Sequence, residues 1–594
     1  MALSDVLADA NDRLTDVRAI GRLVVRAPWF LPGRPWNLAR LLEERAVRGA
    51  GILALAFEDR RYTWSELDRT VNRYAHALRA QGVDEGDCVA LWMDNRPEFV
   101  FTVLGLSRLR ATAALINTHI RGAGLTHAIG IGAPKKLVVG SEHLGALREV
   151  LGELAGLEPR DVLVGCDAGD TPPDDLPCFD ALLAEAPETA ARRSEPRVED
   201  RACFIYTSGT TGLPKAAIVT NARLLLAGTL FGRSILEAGE SDVIYVPLPL
   251  YHSNAMFGGV SASLATGATL ALRRRFSASK FWDDVRRFDA TRFVYIGELC
   301  RYLLNQPEKE NDGEHRVEII TGNGLRPDIW ERFQSRFRIP LIREFYGATE
   351  GNLPIVNFAG RPGMIGRLLP GHAVLRCDLE SGEVMRDDEG HCMRVAPGET
   401  GLLVSVITST TKFDGYLDEE ATRKKVLENV FKDGDRYFNT GDLVTLHERG
   451  WVSFADRIGD TFRWKGENVS TNEVAEVLNR APGVLESNVY GVRVPGADGR
   501  AGMASLNVGD AFSIDAFAAY VVEKLPVYQR PYFVRLQHDM RVTGTLKHQK
   551  VDYRKEGYDP GKVSDPLYFL DGEKYVVLDR DLYEAIEAGR VAVR

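Results

Sequence analysis

Residues 203–215 have the sequence CFIYTSGTTGLPK, an apolar run followed by a polar, glycine-containing loop. The apolar run is typical of a short buried strand. In the loop, glycines let backbone N–H groups turn inward, hydroxyls add rotatable donors, and a lysine supplies positive charge. The pattern therefore predicts a polyphosphate-binding loop after a strand, formed by Thr207, Ser208, Gly209, Thr210, Thr211, Gly212 and Lys215.

Short β-rich runs alternate with helical stretches on both sides of this loop, from about residue 50 to residue 440. Examples are CVALWM at 88–93 and KKLVVGS at 135–141. Such alternation predicts layered α/β structure with largely parallel sheets. A predicted hairpin at 441–457 precedes a shorter α+β segment. We therefore expect a large N-terminal domain of layered α/β subdomains at 1–457 and a small C-terminal domain at 458–594.

The composition excludes some functional classes. The 594 residues are 45% hydrophobic and 26% charged, with a net charge of −9, which gives no reason to expect a nucleic-acid partner. The seven cysteines form no C-x-x-C pair, so we expect no zinc and a reducing, cytoplasmic location. Because no signal-peptide pattern or apolar run of about 18 residues occurs, we expect no membrane-spanning segment.

The first 45 residues contain an amphipathic segment in which Arg18, Arg22 and Arg26 recur every four residues, on one face of a predicted helix. Two interpretations stay open. The helix docks on its own domain, or it lies peripherally on the inner face of a membrane.

Two further motifs follow the phosphate loop. The sequence FYGATEGN at 345–352 offers an aromatic face for a purine at Tyr346, a hydroxyl at Thr349 and a hard oxygen ligand for Mg²⁺ at Glu350. The sequence YFNTGDL at 437–443 places Asp442 after a glycine, where its carboxylate can accept both ribose hydroxyls. Together with the loop, these motifs predict a site for Mg-ATP.

The segment YTSGTTGLPKA at 206–216 resembles the signature of the adenylate-forming superfamily, and the two downstream motifs agree with it. The resemblance implies a mobile C-terminal domain and a lysine that it delivers. It also implies catalytic roles for Thr207 and Glu350. Lys547 is preferred as the mobile lysine, although Lys550 stays open. The further implied roles are ATP contacts at Gly347 and Arg457 and a pivot at Gly459 or Asp460.

The sequence DTFRWKGENVST at 460–471 resembles the branch of fatty acid transport proteins and very-long-chain acyl-CoA synthetases. The resemblance implies fatty acid, ATP and CoA as substrates. It further implies a catalytic histidine at His252, an adenine-side turn at Gly322, Asn323 and Gly324, and CoA contacts at Lys465 and Gly466. Phe257, Gly258, Ile296 and Gly297 are candidate acyl contacts, with ordinary core packing as the alternative.

The predicted activity is that of a long- or very-long-chain fatty acid–CoA ligase that forms AMP and pyrophosphate through an acyl-adenylate. The alternatives are an adenylating ligase for sterol-derived or carnitine-like acids, a ligase that loads a carrier protein, and a fatty acid uptake or lipid-binding protein. The sequence leaves the oligomeric state open, a homodimer included.

Overall fold

The computed structural model describes residues 3–191, 194–207, 213–465, 467–497, 499–538, 540 and 550–593. These residues form two compact units. The first comprises Met1–Leu325, Arg332–Arg361 and Thr411–Lys425, and the second comprises Arg326–Glu331, Pro362–Thr410 and Val426–Arg594.

An eight-stranded sheet of the first unit has six parallel central strands and an antiparallel strand at each edge. In spatial order the strands are Ile355–Val356, Leu341–Tyr346, Ile319–Asn323, Arg292–Ile296, Val243–Val246, Thr269–Leu272, Leu53–Phe57 and Arg60–Thr63. Several central strands are buried along their whole length, which is the pattern of a parallel sheet covered on both faces.

A second sheet of the same unit has six strands among the described residues, five of them parallel. Their order is Val162–Gly165, Lys136–Gly140, Cys88–Trp92, Thr112–Leu115, Arg201–Thr207 and Lys215–Thr220. The last strand runs antiparallel to Arg201–Thr207. The strands predicted near residues 88–93, 135–141 and 203–206 are therefore confirmed.

Helices accompany these sheets. Those of the first unit are Leu3–Val24, Leu38–Arg48, Trp64–Ala80, Pro97–Leu109, Gly122–Gly130, Leu144–Val150, Phe179–Glu185, Asn221–Thr229, Ser253–Ala255, Ala262–Thr266, Phe281–Arg287, Gly297–Leu304 and Glu419–Arg423, with π-helical turns at Leu230–Ile235 and Met256–Ser261. Helix Pro327–Arg336 spans the boundary of the two units.

The second unit begins with an antiparallel sheet in the order Gly366–Arg367, Trp451–Arg457, Arg436–Leu446, Thr400–Val406 and His372–Leu375, with Val426–Glu428 also paired to Arg436–Leu446. The predicted hairpin is present, and Arg449 in its turn has a left-handed φ of 62°.

The remainder of the second unit contains the short strands Phe462–Trp464 and Glu467–Val469 and a mixed five-stranded sheet. The sheet order is Val484–Val492, Ala501–Val508, Phe533–Gln537, Leu567–Asp571 and Lys574–Val577. The helices are Thr471–Leu478, Ile514–Lys524, Lys550–Glu556 and Arg580–Glu587. The α/β class is confirmed. Since the second unit contains residues on both sides of Arg457, the boundary at Arg457 stays a prediction about which part moves.

Candidate functional site

The two ends of the predicted phosphate loop are neighbours. Thr207 ends one strand and Lys215 begins the next, and the antiparallel register pairs these two residues. Ser208, Gly209, Thr210, Thr211 and Gly212 lie outside the described residues. The strand pair therefore closes the loop at its base, with the Lys215 side chain at the base rather than on a free surface turn.

Tyr416 connects the phosphate loop with the Glu350 motif. The Lys215 ammonium lies 5.8 Å from the centroid of the Tyr416 ring. The Tyr416 hydroxyl donates a 2.6 Å hydrogen bond to Glu350 Oε1, and the Glu350 residue is only 8% exposed. Two motifs separated by more than a hundred residues thus meet on one aromatic side chain.

Arg223 holds the turn that carries Glu350. Its guanidinium donates to the carbonyl oxygens of Glu350 at 3.0 Å and Ala348 at 3.1 Å. Burial lowers the pKa of Arg223, which the nearby carboxylates of Asp414 and Glu350 partly offset. The arginine fixes the backbone on which Thr349 and Glu350 are presented.

The His252 segment is tied to the same region. Ser253 Oγ lies 3.2 Å from Thr349 Oγ1, and the Asn254 side-chain amide donates to Asn323 Oδ1 at 2.8 Å. His252 precedes these residues, with its ring 4.5 Å from the Tyr251 ring. The segment predicted near the carboxylate therefore contacts both the Glu350 motif and the predicted adenine-side turn.

Glu344 supports that turn from beneath. Its carboxylate accepts backbone N–H bonds from Gly324 at 2.9 Å and Leu325 at 3.1 Å, and a 2.6 Å bond from the Tyr295 hydroxyl. Burial raises the pKa of Glu344 to about 7 despite these three donors. Gly324 has a φ of +82°, which a side chain would strain. The turn is thus held by a carboxyl group that titrates near neutrality.

The candidate acyl contacts lie in tightly packed surroundings. A Cβ on Gly258 would come within 2.9 Å of Val294 Cγ1, and one on Gly297 within 1.7 Å of the Gly324 carbonyl oxygen. Phe257 and Ile296 are buried. Gly297 therefore has a packing role beside the predicted adenine-side turn, and acyl contact at these four residues stays a prediction.

In the second unit, the two predicted ribose residues face each other across neighbouring strands. Asp442 and Arg457 are register partners, and Arg457 Nε donates to Asp442 Oδ1 at 3.1 Å. The Asp442 side chain is 8% exposed, whereas that of Arg457 is 57% exposed. A buried carboxylate is thereby oriented by a guanidinium that still reaches solvent.

The predicted pivot, Gly459 or Asp460, comes shortly after Arg457 in the sequence. Gly459 has a φ of +84°, and a Cβ there would meet nothing within 4 Å. Asp460 is bonded by Arg554 at 2.5 Å and lies 3.6 Å from Lys550 Nζ. Burial alone would raise the pKa of Asp460, but these two cations outweigh it and hold the pKa below its ordinary value.

Asp456 fastens the residues before the pivot to those after it. Its carboxylate accepts the Thr471 N–H at 2.7 Å and the Thr471 hydroxyl at 2.9 Å, at the start of helix Thr471–Leu478. Lys550 donates to the same hydroxyl at 2.6 Å. The residues flanking Gly459 thus belong to one polar network.

The remaining predicted residues are the candidate CoA contacts, Lys465 and Gly466, and the candidate mobile lysine, Lys547. Lys465 has a φ of 49° and donates to the Val593 carbonyl oxygen at 3.0 Å. Gly466 and Lys547 lie outside the described residues. Their roles in CoA binding and catalysis stay predictions.

The sequence interpretation missed Tyr416, Arg223, Glu344 and Asp456. Glu344 and Asp456 lie within a few residues of recognised motifs, so a carboxylate on a predicted buried strand was the available signal. Tyr416 and Arg223 are distant in sequence from Glu350, and only the tertiary fold brings them to it.

Glu350 stays the predicted ligand for Mg²⁺. Its carboxylate is a hard oxygen ligand, the Tyr416 hydroxyl oxygen lies beside it, and the Thr349 hydroxyl belongs to the same turn. The residues present fit this ion.

Comparisons with known proteins identify similar sequences. The sequence profile described as "AMP-binding enzyme" matches residues 42–417. The chain is 43% identical over 546 residues to "Long-chain fatty acid transport protein 2" of Rattus norvegicus, covering 90% of this chain and 87% of the relative. It is 41% identical over 593 residues to "Medium/long-chain-fatty-acid--CoA ligase FadD6" of Mycobacterium tuberculosis (strain ATCC 25618 / H37Rv), covering 98% of this chain and 97% of the relative.

Solved structures share the fold. The anthranilate CoA ligase AuaEII in complex with anthranoyl-AMP superposes with a TM-score of 0.76 at 24% identity, covering 88% of this chain and 97% of that chain. A Mycobacterium tuberculosis fatty acyl CoA synthetase gives a TM-score of 0.62 at 22% identity, covering 88% of this chain and 98% of that chain.

Proposed function

This chain belongs to the AMP-binding enzyme family, and we propose that it is an AMP-forming fatty acid–CoA ligase. Fatty acid, ATP and CoA are its substrates, and acyl-CoA, AMP and pyrophosphate are its products. One observation carries the site: Tyr416 contacts both Lys215 at the base of the phosphate loop and the Glu350 carboxylate.

In the first half-reaction, a fatty carboxylate oxygen attacks the α-phosphorus of ATP. The new P–O bond forms as the bond to pyrophosphate breaks, and the acyl-adenylate remains bound. Glu350 would hold Mg²⁺, and the bound ion would neutralise phosphate charge. Lys215 and the hydroxyls of the loop bind the phosphates, Lys547 offsets charge on the α-phosphate, and no protein nucleophile is needed.

The nucleoside is held by separate groups. Asp442 accepts the ribose hydroxyls, and Arg457 keeps its carboxylate oriented while reaching the ribose itself. Tyr346 and Gly347 border the base together with the turn at Gly322, Asn323 and Gly324. The hydrogen bonds from that turn to Glu344 support this assignment because they fix its backbone.

In the second half-reaction, the CoA thiolate attacks the acyl carbonyl carbon and AMP leaves. The segment after the pivot at Gly459 and Asp460 moves between the two steps, withdrawing Lys547 and presenting Lys465 and Gly466 to CoA. Lys550 contacts Thr471 and Asp460, and Lys547 is kept as the mobile lysine because of its place in the sequence motif.

The fatty acid assignment rests on relatives at 41–43% identity whose names specify long-chain or medium/long-chain fatty acids. Sterol-derived or carnitine-like acids and a carrier protein as acyl acceptor are the rival assignments. Acid-dependent exchange of pyrophosphate with ATP should be measured for acids from short to very long, with sterol-derived and carnitine-like acids included. Exchange restricted to the fatty acids, with discharge of the adenylate by CoA, is expected. Exchange with a rival acid instead, or discharge by a carrier's pantetheine only, would replace the assignment.

We also propose that this enzyme works at the cytoplasmic face of a membrane, which it contacts peripherally through helix Leu3–Val24. One face of the helix docks on its own unit, where Ala19 accepts a bond from Ser234 and Arg22 pairs with Glu237 at 2.7 Å. The opposite face exposes Leu14, Val17 and Val24. Among the described residues, no helix has both the length and the apolar content required to cross a bilayer.

Flotation of the full chain with lipid vesicles tests this contact. Val17→Asp is expected to weaken flotation and leave ligase activity on dispersed substrate unchanged, since Val17 faces solvent. Equal flotation of the variant and the wild type would refute contact through this face. If the chain is primarily an uptake protein, Glu350→Ala will spare fatty acid uptake, whereas a ligase will lose metabolic trapping along with thioester formation.

A further inference from the structure

A cavity of about 120 Å³ lies next to the end of helix Leu3–Val24. Its walls come from the turn Ala27–Trp29, helix Leu38–Arg48 and the π-helical turn Leu230–Ile235. It is much larger than the roughly 10–15 Å³ that holds one water molecule. Its charged lining residues are Arg26, Arg45, Arg48, Arg233, Glu44 and Glu240.

Positive charge dominates this lining, with four guanidinium groups against two carboxylates. Glu240 pairs with Arg45 at 3.2 Å, but its side chain is 58% exposed, and Glu44 lies 3.9 Å from Arg48. Among the described residues, no carboxylate forms an ion pair with Arg26 or Arg233. Since Arg26 stacks on the Trp29 ring at 4.7 Å, its charge stays at the cavity wall.

The arginines are held in place by the protein. Arg45 donates to the Leu264 carbonyl at 3.0 Å and the Ala265 carbonyl at 2.8 Å. Arg233 donates to the Ala265 carbonyl at 3.1 Å and the Thr266 carbonyl at 3.4 Å. These bonds orient both guanidinium groups beside each other before any ligand arrives.

Among the described residues, the cavity lining contains a buried donor without an acceptor and arginines that repel each other. Arg233 Nε is buried and has no hydrogen-bond acceptor among the described residues. The pKa of Arg45 is lowered to about 10, chiefly by burial and then by repulsion from Arg233; Glu240 opposes this shift, and Arg26 and Arg48 add smaller repulsions. A bound anion would accept from the free donor and relieve the repulsion.

We propose that this cavity binds a phosphate-bearing anion between Arg26, Arg45 and Arg233. Guanidinium groups match phosphate oxygens in paired hydrogen bonds, and several converging arginines favour phosphate over a carboxylate. None of the residues assigned to the nucleotide lines the cavity.

A lipid headgroup is the source that the surroundings favour. Val25 is 74% exposed, Val24 62% and Leu31 43%, so apolar side chains flank Arg26 in the sequence. An anionic headgroup in the cavity would let these side chains enter the lipid surface. A free phosphate compound is the other source of the same chemistry.

The test is binding of the full chain to phosphatidylcholine vesicles with and without phosphatidic acid, alongside calorimetric titration with inorganic phosphate and glycerol phosphate. The wild type is expected to bind the vesicles containing phosphatidic acid, and Arg26→Gln to weaken that binding about tenfold or more. Arg233→Gln should do the same, but it also removes bonds to two carbonyls, so Arg26→Gln is the decisive variant. Arg18→Gln removes the same charge from an exposed position outside the cavity and is the matched control.

The results of these binding experiments distinguish a lipid headgroup, a free phosphate ligand and general attraction to surface charge. Loss on Arg26→Gln with vesicles only assigns a lipid headgroup, and the same loss with soluble phosphates assigns a free phosphate ligand. Equal binding by wild type, Arg26→Gln and Arg233→Gln would overturn the proposal. Equal losses for Arg18→Gln and Arg26→Gln would also overturn it, because the attraction would then be general surface charge. Melting temperatures and lipid-free ligase activity should match the wild type for Arg26→Gln.

Discussion

At the scale of single residues, the proposed function assigns the Glu350 carboxylate to Mg²⁺ binding in the first half-reaction. Glu350→Gln keeps the size of the side chain but removes its charge, so Mg²⁺ loses a ligand. We expect the rate of acid-dependent pyrophosphate exchange to fall by roughly 10²-fold.

Tyr416→Phe is the comparison variant, because it removes the hydroxyl that bonds Glu350 and keeps the ring beside Lys215. Its exchange rate should fall less than that of Glu350→Gln. A variant Glu350→Gln that is folded, as judged by its melting temperature, and fully active would show that Glu350 does not hold the metal.

Asp442 gives a prediction about nucleotide selectivity. A site that bonds a hydroxyl rejects an analogue lacking it, because the buried acceptor is left without its partner. The wild type should therefore discriminate against an ATP analogue that lacks a ribose hydroxyl, and Asp442→Asn should discriminate less and have a raised KM for ATP. Steady-state kinetics with both nucleotides measure this, and unchanged discrimination would remove Asp442 from the ribose site.

Glu344 makes a prediction about pH. Its pKa is raised by burial from 4.5 to about 7 in the folded protein. The folded state therefore keeps a proton that the unfolded state has released. This retained proton stabilises the folded state. The stabilisation is fully present below about pH 4.5 and is lost as the pH rises to about 7, which lowers the free energy of unfolding by about 3 kcal/mol in total.

Urea unfolding across this pH range measures the effect. Glu344→Gln should show a flatter fall of the unfolding free energy with pH than the wild type, whereas Glu185→Gln, at an exposed position, should follow the wild type. Parallel pH profiles for Glu344→Gln and the wild type would rule out titration of Glu344 in this range.

The candidate site residues that the sequence singles out lie within continuous motifs, as do Thr207, Lys215, Glu350 and Asp442. Their roles stay predictions. Arg223 and Tyr416 could not be predicted in this way, since their contacts with the Glu350 turn form only through the tertiary fold.

At the scale of elements, the segment at 456–471 determines which bond can act as the pivot. Gly459 has a positive φ and open space around it, whereas Asp460 is tied to Arg554 and Lys550. A side chain at Gly459 would destabilise the present backbone by about 1–2 kcal/mol. Gly459→Ala should therefore change pyrophosphate exchange and thioester formation to different extents.

Asp460→Ala is the comparison, because it removes the tether and leaves the backbone at Gly459 as it is. Rapid-quench measurement of the rates of adenylate formation and thioester formation distinguishes the effects of the two variants. Gly459→Ala with wild-type rates in both, alongside an altered ratio in Asp460→Ala, would move the pivot to Asp460.

Elements were predictable where periodicity and length were clear, as for the strands Cys88–Trp92 and Lys136–Gly140 and for the hairpin that ends at Arg457. The N-terminal helix is longer than its arginine spacing indicated. It covers Leu3–Val24 and ends before Arg26, which lines the cavity instead.

At the scale of the whole molecule, the assembly of the chain into two compact units could not be derived from the sequence order. Arg326–Glu331 and Pro362–Thr410 group with the C-terminal residues, whereas Thr411–Lys425 return to the first unit and bring Tyr416 to Glu350. Alternation of strands and helices predicts the layers but not such crossings.

The central claim is that the enzyme forms an acyl-adenylate and transfers its acyl group to CoA. The direct measurement is product analysis with ATP labelled at the α-phosphate, a long-chain fatty acid and CoA. We predict acid-dependent formation of AMP and acyl-CoA in equal amounts, strongly reduced in Glu350→Gln. Formation of ADP, or of AMP without any acyl-CoA, would contradict the account.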